Sequence, residues 1–263
     1  MKTHGKVIVV TGAGSGIGRE LVLQLLKKDA SVAAVDLNPV SLKELVAIAS
    51  NGRLATFVCD VSQRTEVEHL SEKVLEHFGA VDGIINNAGI IQPFVKVNDL
   101  SYETIEKVMN VNFFGSLYMI KTFLPHLLTR KEGHIVDVSS MGGFLPVPGQ
   151  SVYGASKAAL KLLTEGLYAE LLDTHVRVTI IFPGAIDTNI VRNSGVEINR
   201  PADQVAADSM PAAAAAAQII EAMEANKFRA LVGSDARFLD RLYRLMPKRA
   251  VHMITSKMKD LLK

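Results

Sequence analysis

Tyr153 and Lys157 stand four residues apart in GQSVYGASKAAL (149–160), a spacing that puts two side chains on one face of a helix. A tyrosine hydroxyl titrates near 10 and is a poor base at neutral pH. An ammonium held beside it stabilises the phenolate and brings that value down. Among the five tyrosines only Tyr153 has this neighbour; position +4 from the others is Glu106, Thr122, Leu172 or Pro247. Upstream, HIVDVSSMGG closes a strand-like run with Ser139 and Ser140. A serine at the carboxyl edge of a parallel sheet faces the crevice where such folds bind ligands, and its hydroxyl can hold a carbonyl oxygen. Taken singly, the first pair also fits an exposed helix face and Ser140 a turn cap.

A second group lies near the amino terminus. TGAGSGIG (11–18) fails the spacing G-x-G-x-x-G, which from Gly12 needs glycine at Ile17 and from Gly14 at Arg19. Gly12, Gly16 and Gly18 instead give G-x3-G-x-G, with Gly14 as an extra flexible position. The loop follows KVIVV and precedes RELVLQLLKK, so it joins a strand to a helix. The amide groups of Ser15, Gly16 and Ile17 would open that helix, where unpaired N–H groups and the helix dipole favour a phosphate. Asp36 ends the second strand; a carboxylate there can accept from both ribose hydroxyls of an adenosine and repels a 2′-phosphate. Leu37 and Ser15 offer no cation for such a phosphate, which predicts NAD over NADP. Asp60 and Val61 end the third strand, where a carboxylate fits an adenine edge or a helix cap equally. Cys59 reads as a buried small side chain. Asn86, Asn87, Ala88 and Gly89 end the fourth, small enough for a ligand to lie against the sheet or to make a turn.

These residues need a scaffold that brings strand ends together. Short, mostly continuous apolar runs at 6–11, 31–36, 54–60, 81–86, 134–139, 176–182 and 229–233 read as strands buried on both faces. Helical patterns fill 17–28, 39–49, 63–78, 101–129, 152–173 and 211–226, with start signals at Ser62, Ser101 and Pro211. The alternation predicts an α/β fold: a single Rossmann-type, doubly wound parallel sheet of about seven strands with helices on both faces. Residues 1–233 form the expected dinucleotide-binding domain, with a substrate lid over 185–210. The loops Ile91–Phe94 and Met141–Gln150 are expected to set specificity beside it.

The chain's totals narrow the function classes. Of 263 residues 48% are hydrophobic and the net charge is +2, so no nucleic-acid partner is indicated. Residues 229–263 hold nine Lys/Arg against three Asp/Glu. Within that stretch 234–263 reads as a basic amphipathic extension, with Phe238, Leu239, Leu242, Leu245 and Met246 on one face. It would dock on the subunit, or contact an anionic membrane peripherally through 237–263. One cysteine excludes an internal disulfide. His126, His134 and the other histidines lack metal spacing and read as surface or capping residues. The run Val7–Val10 is too short for a signal peptide, and no segment reaches the ~18 apolar residues of a membrane span. A cytoplasmic location, with or without peripheral membrane association, is the expectation.

TGAGSGIG, Asp60, NNAG, Asn112 in NVNFFG, Ser140, YGASK and Pro183-Gly184 together resemble the main, non-extended branch of the short-chain dehydrogenase/reductases. The resemblance implies Tyr153 as general acid/base, Lys157 on the nicotinamide ribose, and Ser140 on the substrate oxygen. It further implies a water held by Asn112 as a proton relay, Asp60 and Val61 at adenine, and Asn86 and Gly89 beside the ribose. Asn87, Ala88, Pro183, Gly184 and Ile186 would line the cofactor, with Thr188 at its carboxamide. A homodimer or homotetramer through helices 101–129 and 152–173 is implied as well. The expected activity is NAD-dependent interconversion of an apolar secondary alcohol and ketone. An NADPH-dependent carbonyl reductase and a non-catalytic dinucleotide sensor are the alternatives.

Overall fold

The computed structural model describes residues 1–196 and 209–258. Parallel strands β1 (Val7–Thr11), β2 (Ser31–Asp36), β3 (Leu54–Val58), β4 (Gly83–Asn86), β5 (Gly133–Val138), β6 (Val176–Pro183) and β9 (Arg229–Val232) form one sheet, ordered β3-β2-β1-β4-β5-β6-β9. The order reverses between β1 and β4, and that switch point opens a crevice at the strands' carboxyl ends. Alternate residues of the apolar runs serve two cores. Ile8, Val10 and Ile85 pack under α1 (Gly16–Lys27) and α8 (Ala212–Glu224) through Leu21, Leu25, Ile219 and Met223. Val9, Ile84 and Ile135 pack on the other face under α3 (Arg64–Phe78), α5 (Gly115–Leu128) and α6 (Ser151–Glu170). Burial on both faces is why these strands lack a polar/apolar alternation.

The remaining elements are α2 (Pro39–Ala49), α4 (Tyr102–Met109), β7 (Ile186–Asp187), α7 (Ile190–Asn193) and β8 (Met210–Pro211), then α9 (Ser234–Leu245) and α10 (Pro247–Lys257). β7 and β8 pair with each other in a small parallel sheet and thereby clip together the two ends of the expected lid, part of which lies outside the described residues. Among the described residues no helix is long and apolar enough to cross a membrane.

Three expectations need correcting. The helix expected over 101–129 is two helices separated by a π-turn, Asn110–Phe114. Gly115 passes so near Val61 that an added Cβ would lie 3.0 Å from its Cγ2, and the wider turn lets the chain fit there. Ser62 does not cap α3: the N-cap is Gln63, and Ser62 donates to Asp60 Oδ1 at 2.7 Å. In the C-terminal extension the inward face is Ala236, Leu239 and Asp240, while Phe238 and Leu245 are 58% and 78% exposed. The helix is turned by Asp240, which accepts from Arg229 at 2.7 and 3.1 Å and from Arg244 at 3.2 Å. Arg229 in turn sits 4.6 Å from the Phe182 ring centroid. The chain breaks at Met246-Pro247, and α9 and α10 close over Leu145 through Leu239, Ala250 and Ile254.

Candidate active site

A cleft of about 950 Å³ runs along the carboxyl ends of β1 to β6. Its first wall is the glycine turn. Gly12 and Gly16 take left-handed φ of +65° and +51°, which glycine adopts without strain. Gly18 is buried behind the turn, where a Cβ would collide with the Gly12 carbonyl, so it permits helix–strand packing rather than lining the cleft. Gly14 is more than a flexible position: a Cβ there would strike Ser41 Oγ and come within 2.9 Å of Asp36 Oδ2. Its N–H donates to Asp36 Oδ2 at 2.8 Å, while Asn38 N–H donates to Oδ1 at 2.9 Å. Asp36 is thus fixed as an acceptor at the cleft's edge, beside Leu37. A cation does stand nearby, although not at the positions that the sequence suggested. Arg19 lines the same region, donating to Gly14 O at 2.7 and 2.9 Å and to Glu44 at 3.1 Å.

The opposite wall is α6. Its own N-cap, Gln150, makes no side-chain cap bond. The cap comes from another loop: Gln92 Oε1 accepts the N–H groups of Val152 and Tyr153 at 2.9 and 3.0 Å. Gln92 Nε2 donates to Gly149 O at 2.9 Å, and the side chain is fully buried. Nothing local in IIQPF marks this role, because the partners lie some sixty residues on. Ser156 Oγ donates to Tyr153 O and Ser139 Oγ to Lys157 O, seating the helix on β5. Lys157 is buried, its Nζ donating to Val138 O at 2.9 Å. Ser140 Oγ accepts from Gly142 N–H at 3.0 Å and bonds the Tyr153 hydroxyl.

Burial raises the proton affinity of Tyr153, and the Ser140 hydrogen bond opposes that rise. Burial lowers Lys157 to about 8, with Asp137 pulling the other way. At Tyr153 desolvation of the hydroxyl outweighs what favours its phenolate.

The other expected residues divide. Gly12, Ser15, Gly16, Ile17, Asp60, Val61, Asn87, Ala88, Gly89, Pro183, Gly184, Ile186 and Thr188 all line the cleft. Asn86 does not: it is buried and donates to Asp137 Oδ1 at 2.7 Å. Asn112 is buried, and its side chain is engaged through both of its polar groups. Its Oδ1 accepts Ile90 N–H at 2.8 Å, and its Nδ2 donates to Ile90 O and Ser156 Oγ at 2.9 and 3.0 Å. Of the expected specificity loops only Ile91 reaches the cleft, beside Ile90 and Ile190. Met141, Phe144 and Leu145 turn instead toward the C-terminal hairpin. Cys59 is buried as expected. His134, expected at the surface, is fully buried on β5 and shares a 2.8 Å hydrogen bond with Thr179 Oγ1. No cluster of metal-ligating side chains occurs among the described residues.

A dinucleotide fits these residues. The glycine turn presents the start of α1 without a capping side chain, and Asp36 stands where a ribose would lie. Residues 6–199 match the family model of the short chain dehydrogenases. The chain belongs to that family. It is 37% identical to the putative oxidoreductase SadH of Mycobacterium tuberculosis H37Rv over 254 residues, covering 92% of this chain and 91% of that protein. A short chain dehydrogenase/reductase from Burkholderia phymatum in complex with NAD superposes with TM-score 0.84 at 26% identity, covering 93% of this chain and 96% of the other. One from Burkholderia cenocepacia in complex with NADP gives 0.82 at 26% identity, covering 97% and 99%. This short chain dehydrogenase is an oxidoreductase that uses a nicotinamide dinucleotide.

Proposed function

We propose that the enzyme is an NAD-dependent dehydrogenase that interconverts an apolar secondary alcohol and its ketone, with Tyr153 as general acid/base. The carrying observation is the convergence of Ser140, Tyr153 and Lys157 in one cleft, three strands across the sheet from Asp36. A bound dinucleotide supplies the hydride acceptor or donor. Ser140 Oγ orients the substrate oxygen, and the Tyr153 hydroxyl gives that oxygen a proton or removes one. Lys157 holds the nicotinamide ribose. Ile90, Ile91 and Ile190 supply the apolar lining. Asn112, whose Oδ1 lies near Lys157 Nζ across Gly89, holds the relay water. Asp36 supports NAD by repelling a 2′-phosphate, whereas Arg19 favours the second reading, an NADPH-dependent carbonyl reductase.

Titrating both dinucleotides decides the preference: the apparent Kd for NAD should be at least about tenfold below that for NADP, and the reverse order overturns it. A panel of apolar secondary alcohols, read by reduced-nicotinamide absorbance, tests the chemistry. Tyr153→Phe should lower turnover about 10²–10⁴-fold while dinucleotide binding persists; undiminished turnover removes the role. Because burial keeps Tyr153 protonated, oxidation should climb into the alkaline range.

The exposed Phe238 and Leu245, flanked by Arg241, Lys248 and Arg249, further support contact of the C-terminal hairpin with an anionic lipid surface.

A further inference from the structure

Asp137 is fully buried in β5, one residue before the carbonyl that receives Lys157. Its Oδ1 accepts from Asn86 Nδ2 and its Oδ2 from Thr164 Oγ1, each at 2.7 Å. Thr164 lies two turns beyond Lys157 on the same buried stripe of α6. The stripe therefore meets β5 twice, at Val138 through the lysine and at Asp137 through the threonine. A buried carboxylate is costly unless paired, and a buried ammonium equally so. Of the groups around Asp137, Asn86 from β4, Thr164 from α6 and Ile180 opposite it on β6 are neutral. His134 of the same strand bonds Thr179. Lys157, whose ammonium rests on the carbonyl of the next residue without a direct ion pair to the carboxylate, is the buried cation that acts on Asp137.

We propose that Asp137 is the fixed counter-charge of Lys157, a positioning residue that keeps the ammonium protonated beneath Tyr153 and so sets the pH range of the catalytic group. The second half of this statement rests on the function proposed above; the first does not. Burial pushes Asp137 up to about 6, against the two hydrogen bonds and the lysine, and brings Lys157 down to about 8. Without the carboxylate, desolvation of Lys157 has no opponent and the neutral amine gains ground. Tyr153, one helical turn before Lys157 and in the same cleft, then loses that charge as a neighbour of its phenolate.

Asp137→Asn separates charge from scaffolding. The amide oxygen can still accept from Asn86, and the amide nitrogen can donate to Thr164 Oγ1, which keeps its own bond to Leu160 O. The Lys157 13Cε resonance, assigned by its loss in Lys157→Met, reports the ammonium directly in the dinucleotide-free protein. Its midpoint should fall by about one pH unit or more, a tenfold loss of proton affinity, with the amide spectrum otherwise native. An unmoved midpoint in a folded variant overturns the proposal. Should the variant not fold, the wild type still decides. Lys157 13Cε must show a second inflection where the Asp137 carboxyl carbon titrates, and independent curves overturn the pairing. In turnover, the variant's acid limb for alcohol oxidation should move to higher pH. A shifted lysine with no turnover on any alcohol leaves the counter-charge standing and removes the dehydrogenase reading; turnover with an unshifted lysine does the opposite.

Discussion

Burial along β5 and α6 displaces the titration of several side chains, each away from its charged form. His134 is the plainest case: desolvation takes it down to about 3, and its ring shares a hydrogen bond with Thr179 as a neutral imidazole. Its folded value lies below the unfolded one near 6.5, so its contribution is complete above pH 6.5 and is lost as pH falls toward 3. The loss is on the order of 4–5 kcal/mol across that window. Asp137, displaced upward, works with the opposite sign, so a comparison must isolate the histidine. Urea unfolding of wild type and His134→Gln between pH 7 and 4 does so. The wild type should lose stability more steeply; parallel slopes would remove His134 as the cause. HIVDV placed this histidine in a strand but not inside the protein, because the partner of its Nε2 comes from β6, forty-five residues away. Tyr153, Lys157 and Ser140 were legible for the opposite reason: their spacing is itself the chemistry.

At the scale of elements, α6 begins on a borrowed cap. Gln92 closes two N–H groups at the start of α6, and the same loop carries Ile90 and Ile91 into the cleft. The apolar lining and the proton-transfer side of the site thus share one buried amide. Gln92→Ala should cost about 1–3 kcal/mol for the unsatisfied donors and carbonyl. It should also lower kcat about tenfold or more with little change in dinucleotide Kd, since misplacing the Tyr153 hydroxyl affects the reacting geometry first. A variant destabilised as expected but with unchanged kcat would reduce Gln92 to a structural cap. The strand–helix alternation of the sequence predicts nearly every element, yet 101–129 read as one helix. A π-turn leaves no periodic trace when both flanking helices are amphipathic, and its setting, with Gly115 against Val61 and Asn112 bonded to Ile90 and Ser156, is tertiary.

At the scale of the whole molecule, the C-terminal hairpin is part of the site's architecture. Asp235 at the start of α9 accepts from Ala185 N–H at 2.7 Å, beside the cleft-lining Gly184, and Leu239, Ala250 and Ile254 cover Leu145. The amphipathic pattern was visible in the sequence, but its inward face was not, because a buried Asp240–Arg229 pair outweighs the apolar count. The outward face should bind membrane. Full-length protein should co-sediment with phosphatidylserine-containing vesicles and lose that binding at high salt or in Phe238→Glu/Leu245→Glu, with turnover retained. Equal partitioning of the double variant and wild type would remove the lipid contact.

The pairing of β7 with β8 carries one more consequence. Because Ile186–Asp187 and Met210–Pro211 are zipped together, the ends of the intervening stretch meet whatever its length. Closure entropy grows only with the logarithm of length, about 0.6 kcal/mol per doubling. Insertions and deletions between the clipped ends therefore burden the sheet very little. Changes of length between the clipped ends would thus alter what stands over the cleft at little cost to the sheet that carries it.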